Sequence, residues 1–83
     1  MRLAKFVKFR EEKFGAVLFE TQSEKVFTLN PTATAIVREI QAGGDEHAIA
    51  ARLKDRFDDH DGAIAREVVD FISELRRRGL LEG

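Results

Sequence analysis

The residues with catalytic or metal-binding chemistry are few and poorly grouped. There are two histidines, His47 and His60, and no cysteine. His47 falls in the polar start of a predicted helix. His60 lies among Asp58, Asp59 and Asp61, side chains of the kind that hold a divalent cation. That run lacks the ligand spacing of a calcium-binding helix-loop-helix, and a solvated connector between two helices accounts for it. Ser23 and Ser73 have no neighbouring histidine in a nucleophile motif. Gly43-Gly44 lacks the later glycine and lysine of a phosphate loop and reads as a helix stop. The sequence thus predicts no enzyme, no cofactor and no metal site, and without thiols it has no disulfide framework.

The remaining chemistry is that of surfaces. Arg76-Arg77-Arg78 is the one basic run, at the end of a predicted helix, where it complements the negative end of the helix dipole. Net charge is −1, and the acidic residues concentrate over 44–62 while residues 1–29 are mildly basic. A general nucleic-acid binder carries a basic footprint, which this chain lacks, so no nucleic-acid partner is expected. The aromatic residues are all Phe, so the surface lacks the Trp and Tyr anchors common at interfaces. No stretch approaches the roughly 20 apolar residues of a membrane span, and the charged N-terminus has no signal-peptide hydrophobic region. These features suit a cytoplasmic protein with no membrane partner. The 83 residues suit a single domain, 1–83.

The elements that position these surfaces follow from periodicity. Leu3 to Phe9 alternates imperfectly and predicts a first strand, with Arg10 to Lys13 a charged connector. Phe14 to Glu20 predicts a second strand, in which Gly15 marks a bulge or a close backbone approach. After the polar turn Thr21-Gln22-Ser23-Glu24, Lys25 to Leu29 predicts the third. The sharpest boundary follows. Asn30 is placed to cap a helix and Pro31 to occupy its first position. Ala33, Ile36, Val37 and Ile40 then form one apolar stripe. Asp45 caps a second helix running to about Phe57. A third runs from about Ala63 to Arg78, with Asp61 as a cap and Ile64, Val68, Phe71, Ile72 and Leu75 as its stripe. Leu80-Leu81 folds back onto the core, since two adjacent leucines gain little in water.

Strands followed by helices predict an α+β domain, a small three-stranded antiparallel sheet followed by three helices. The helices resemble a helix-turn-helix, which opens the reading of a winged-helix DNA-binding regulator. Glu67, Asp70 and Glu74 on the third helix would repel phosphates. A second reading is peptide capture. An extended peptide can add to an unpaired edge of the strand Lys25 to Thr28. Pattern alone equally allows Val26, Phe27 and Leu29 to be plain core and pairing residues.

Particular stretches add to this. Phe14-Gly15-Ala16-Val17-Leu18-Phe19-Glu20, Lys25-Val26-Phe27-Thr28-Leu29-Asn30 and Thr34-Ala35-Ile36-Val37 resemble the PqqD family. So do Gly43-Gly44, Ala48-Ile49-Ala50 with Leu53, and Val68-Val69-Asp70-Phe71-Ile72-Ser73-Glu74-Leu75 with Gly79-Leu80-Leu81. The likeness runs from about Arg10 to Glu82 and lies in the order and distances of ordinary pieces. Ala16 departs from the second glycine of many members, and Phe19 from their frequent Tyr. The resemblance implies a winged helix-turn-helix-like fold and a non-enzymatic recognition element, or peptide chaperone, for ribosomally made precursor peptides. It implies a leader peptide and a radical SAM or other peptide-modifying enzyme as partners. The leader would add to the third strand at Lys25, Val26, Phe27 and Thr28. At about 100° per residue, Val69, Ile72 and Arg76 fall on one flank of the third helix's stripe. They are the positions expected to line the groove, with Arg76 meeting acidic leader residues. A structural subunit of an enzyme complex, or a homodimer through the same edge, is a further expectation.

Overall fold

Asn30 is the hinge point between a sheet and a layer of helices. A computed structural model describes residues 1–57 and 62–83. In it Asn30 Oδ1 accepts a hydrogen bond from the Ala33 N–H at 2.8 Å, and Pro31 opens the helix. Before this point lie β1 (Arg2–Leu3), β2 (Val7–Glu12), β3 (Gly15–Glu20) and β4 (Lys25–Leu29); after it come α1 (Pro31–Gln41), α2 (Glu46–Arg56), α3 (Ala63–Arg77) and β5 (Leu81–Glu82). Strands β2, β3 and β4 form an antiparallel sheet in that order, and β1 pairs with β5 in a separate ribbon. The expected α+β architecture is therefore present, with β4 at one edge of the sheet.

The sheet's inner face and the three helices enclose one core. Leu18, Ile36, Ile40, Ile49, Leu53, Ile72 and Leu80 are fully buried in it, each such side chain stabilising the fold by about 1.5–3 kcal/mol. Thr34 is the buried polar residue among those described, and its hydroxyl donates to the Asn30 carbonyl at 2.9 Å. That bond satisfies the group whose burial would otherwise be costly. Asp45 caps α2, accepting from the Ala48 N–H at 2.8 Å. Helix α3 has Gly62 at its N-cap, in a left-handed conformation with φ of 77°. Asp61, the expected cap, lies outside the described residues, as do Asp58, Asp59 and His60 of the considered metal site.

The first strand departs from expectation. Leu3 to Phe9 is not one strand. The chain turns after Leu3, and the Val7 N–H donates to the Ala4 carbonyl at 3.0 Å. The expected connector Arg10 to Lys13 is mostly strand, because β2 pairs with β3 as far as Glu12↔Gly15. Only Lys13 and Phe14 remain for the turn. Pairing across a tight hairpin outweighs the polar composition of Arg10-Glu11-Glu12. The tail expectation holds: Leu80 is buried, its N–H donates to the Leu75 carbonyl, and its carbonyl accepts from the Ala4 N–H, both at 2.8 Å.

Gly15 is where the sheet needs glycine. Its φ is 150°, and a Cβ there would stand 2.1 Å from the Leu29 carbonyl oxygen. The absent side chain lets the end of β4 cross close to β3, which sets the position of β4 before α1 departs.

Candidate functional site

The hydrogen-bonding pattern shows which backbone groups β4 leaves open. In an antiparallel ladder, alternate residues direct both N–H and C=O to the same side. The Thr21 N–H donates to the Phe6 carbonyl at 2.9 Å, which is the continuation of the β2–β3 register. Hence Gly15, Val17 and Phe19 turn their backbone groups towards β2, and Ala16, Leu18 and Glu20 turn theirs towards β4. Their partners there are Leu29, Phe27 and Lys25. Val26 and Thr28 are left with backbone groups directed outward from the sheet. Side chains follow the complementary alternation: Leu29 is buried and Phe27 half-buried on the helical side, while Val26 and Thr28 are exposed on the outer face.

Beyond this edge runs a groove whose far wall is α3. At its first end, Asn30, Ala33 and Ile36 face Glu67, Asp70 and Phe71 across a shallow depression. At its other end, Lys25, Phe27, Glu20 and Ser23 face Arg78 and Leu80. The Arg78 guanidinium lies 5.2 Å from the Phe27 ring centroid, a cation–π distance, and its Nε donates to Glu74 at 2.6 Å. Residues 67, 70, 71, 74 and 78 recur at helical spacing and share one face of α3. This pairing of ends makes α3 antiparallel to β4.

The charges of the groove are unequal. Hydrogen bonds from Arg77 and Arg78 hold the Glu74 carboxyl below the usual glutamate range. Glu20 is likewise lowered, first by the Ser23 hydroxyl and then by the Gln22 and Ser23 N–H groups, which turn it into the hairpin. Glu67 and Asp70 are exposed and form no ion pair among the described residues.

The site residues expected from the sequence divide. Lys25 and Phe27 line the groove, and Val26 and Thr28 carry its open backbone edge. Ile72 is fully buried and offers no surface to a ligand; it packs in the core beside Val68 and Leu75. Arg76 reaches the other way, its Nη2 lying 3.8 Å from Met1 Sδ. Val69 is exposed and shares the Arg76 face, seven residues earlier. Around α3 the buried stripe lies between two flanks, and Val69 and Arg76 occupy the flank away from β4. The groove residues missed in the sequence are Phe71 and Arg78. Their shared face with Glu67 was a visible signal, but no local rule says which flank meets the sheet. Among the described residues no cluster is placed to hold a metal ion, and no helix is long and apolar enough to cross a membrane.

Fold and site together define a small α+β domain with an open sheet edge above a helix-walled groove. The family model described as coenzyme PQQ synthesis protein D matches residues 15–81, and the chain belongs to this PqqD family. A search of curated proteins gives no significant match. Among solved structures, the chain resembles TbiB1 in complex with the TbiA(beta) leader peptide, at 22% identity and a TM-score of 0.88, over 100% of this chain and 96% of that one. It also resembles lasso peptide synthetase B1 complexed with the leader peptide, at 22% identity and a TM-score of 0.84, over 99% and 96% of the two chains. At this identity the likeness is one of fold.

Proposed function

We propose that this protein is a non-catalytic peptide-binding module that captures the leader of a ribosomally made precursor by strand addition to β4. The observation that carries the reading is the open backbone edge at Val26 and Thr28 beside the α3 groove. Main-chain hydrogen bonds from such an edge supply affinity, and the flanking depressions take alternate side chains of the added strand. Family membership and the leader-bound state of the two similar structures support the same reading. The bound leader is then presented to a peptide-modifying enzyme, of the radical SAM or another type, in the cytoplasm. A nucleic-acid partner fits poorly, because the α3 face beside the sheet carries Glu67, Asp70 and Glu74. A homodimer through β4 would occupy the same edge and compete with the leader.

The test is an amide-shift titration of isotope-labelled protein with synthetic leader peptides from precursor genes adjoining its own. The Val26 and Thr28 amides are expected to shift, together with those of Phe71 and Arg78. If no peptide moves any of these four, strand addition is wrong.

A further inference from the structure

The two ends of the groove differ in charge, and the difference gives a bound strand a direction. At the Asn30 end, the α3 wall presents Glu67 and Asp70, both exposed, beside the apolar floor of Ala33, Ile36 and Phe71. At the Lys25 end it presents Arg78, with Lys25 facing it from β4. Glu20 lines that second end and Glu74 stands beside it on α3, and each is engaged. Glu74 is shared between Arg77 and Arg78, and Glu20 accepts from the hairpin's N–H groups. The lining of that end thus carries Lys25 and Arg78 against an engaged Glu20, while the lining of the Asn30 end carries Glu67 and Asp70 and no cation.

The two ends are also correctly spaced. Lys25 to Leu29 spans about 13 Å of strand at about 3.3 Å per residue, and Asp70 to Arg78 spans about 12 Å of helix at 1.5 Å per residue. One extended segment of four to five residues (by the same rise) thus reaches from one charged end to the other. Antiparallel pairing is the more stable mode and continues the pattern of this sheet. A strand added that way has its N-terminal end at Asn30 and its C-terminal end at Lys25.

We infer that the groove selects an extended peptide with Lys or Arg at the N-terminal end of the docked segment, apolar side chains over Phe71 and Phe27, and Asp or Glu at its C-terminal end. The inference rests on the strand-addition reading and adds the charge order of its ligand. It also replaces the sequence-based pairing of Arg76 with acidic leader residues, since Arg76 faces away from β4.

The experiment needs no known ligand. A random 12-residue peptide library is selected on the immobilised protein, and recovered peptides are re-tested on Thr28→Pro, with Val26→Pro as a second edge variant should the first lose its fold by circular dichroism. Edge-dependent binders are expected to be enriched in Lys or Arg N-terminal to an apolar centre and in Asp or Glu C-terminal to it. Exchanging the two charges end for end in one recovered peptide should weaken it about tenfold. Selection on Glu67→Lys with Asp70→Lys, both exposed positions, should remove the N-terminal basic preference. Edge-dependent binders with no charge order, or with the reverse order, overturn the inference and leave strand addition standing. A selection in which no binder depends on either edge variant overturns strand addition, and the charge order with it.

Discussion

The two edges of the sheet are built differently. By the alternation derived above, β2 turns the backbone groups of Val7, Phe9 and Glu11 outward. Val7 has already given its N–H to Ala4. Glu11 is tied to Arg38 of α1, and that hydrogen bond holds its carboxyl below the usual range. Four of the six β2 side chains are charged, Lys8, Arg10, Glu11 and Glu12. Charge and local cover are the means by which natural sheets blunt an edge. β4 has Lys25 alone as a charged residue, and a groove lies beside it. One edge is blunted by charge and local cover, and the other has a groove walled by a helix beside it.

The most disruptive way to break this contrast is to push β4 off the sheet. Gly15→Ala places a methyl against the Leu29 carbonyl at a φ unfavourable to L-residues. We expect a loss of about 3 kcal/mol or more, read as a lowered midpoint of chemical denaturation. A paired proline substitution is more selective. Phe27→Pro removes a donor used in the β3–β4 ladder and should unfold or markedly destabilise the domain. Thr28→Pro removes an outward donor, so the fold should persist while peptide affinity falls about tenfold, the worth of roughly 1 kcal/mol for a hydrogen bond with added crowding. Equal destabilisation by the two prolines would show that the alternation is assigned wrongly.

Smaller effects test the blunted edge. Glu11→Thr removes a charge and the Arg38 tie, and should give weak self-association by sedimentation without changing peptide affinity. The mildest expectation concerns acid. Glu11, Glu20 and Glu74 have folded pKa values below their unfolded ones. Their contribution is present above the ordinary glutamate pKa and is lost as pH falls through the lowered folded values. In an NMR titration these three should protonate below the ordinary glutamate range. Exposure keeps the accompanying stability change small.

Much of the fold was legible because its signals are local. Asn30 and Pro31 set a boundary by their own chemistry, and both β4 and α1 begin and end where that chemistry and the adjoining apolar spacing imply. Asp45 did the same for α2. The misread segments depend on distant partners. Arg10-Glu11-Glu12 is strand because β3 lies beside it, and the two-residue pairing of β1 with β5 joins opposite ends of the chain. The site shows the same division. Lys25 to Thr28 lie along the sheet edge that the sequence points to, whereas Val69 and Arg76 lie on the α3 flank away from it and Ile72 lies in the core. A helical wheel gives the buried stripe of α3 but not which side of it meets the sheet. Arg78 reads as an ordinary helix-end cation until Phe27 is seen beneath it.

The side-chain alternation of β4 has one more consequence. Val26 lies on the outer face with Val17, Phe19, Lys8 and Arg10, around a shallow apolar hollow. A strand added at the β4 edge would carry the same alternation across the boundary. Half of its side chains would enter the groove, and the other half would extend the outer hollow. The message in such a peptide is then divided. One set of letters is consumed in docking, and the other stays legible on a surface shared by peptide and carrier.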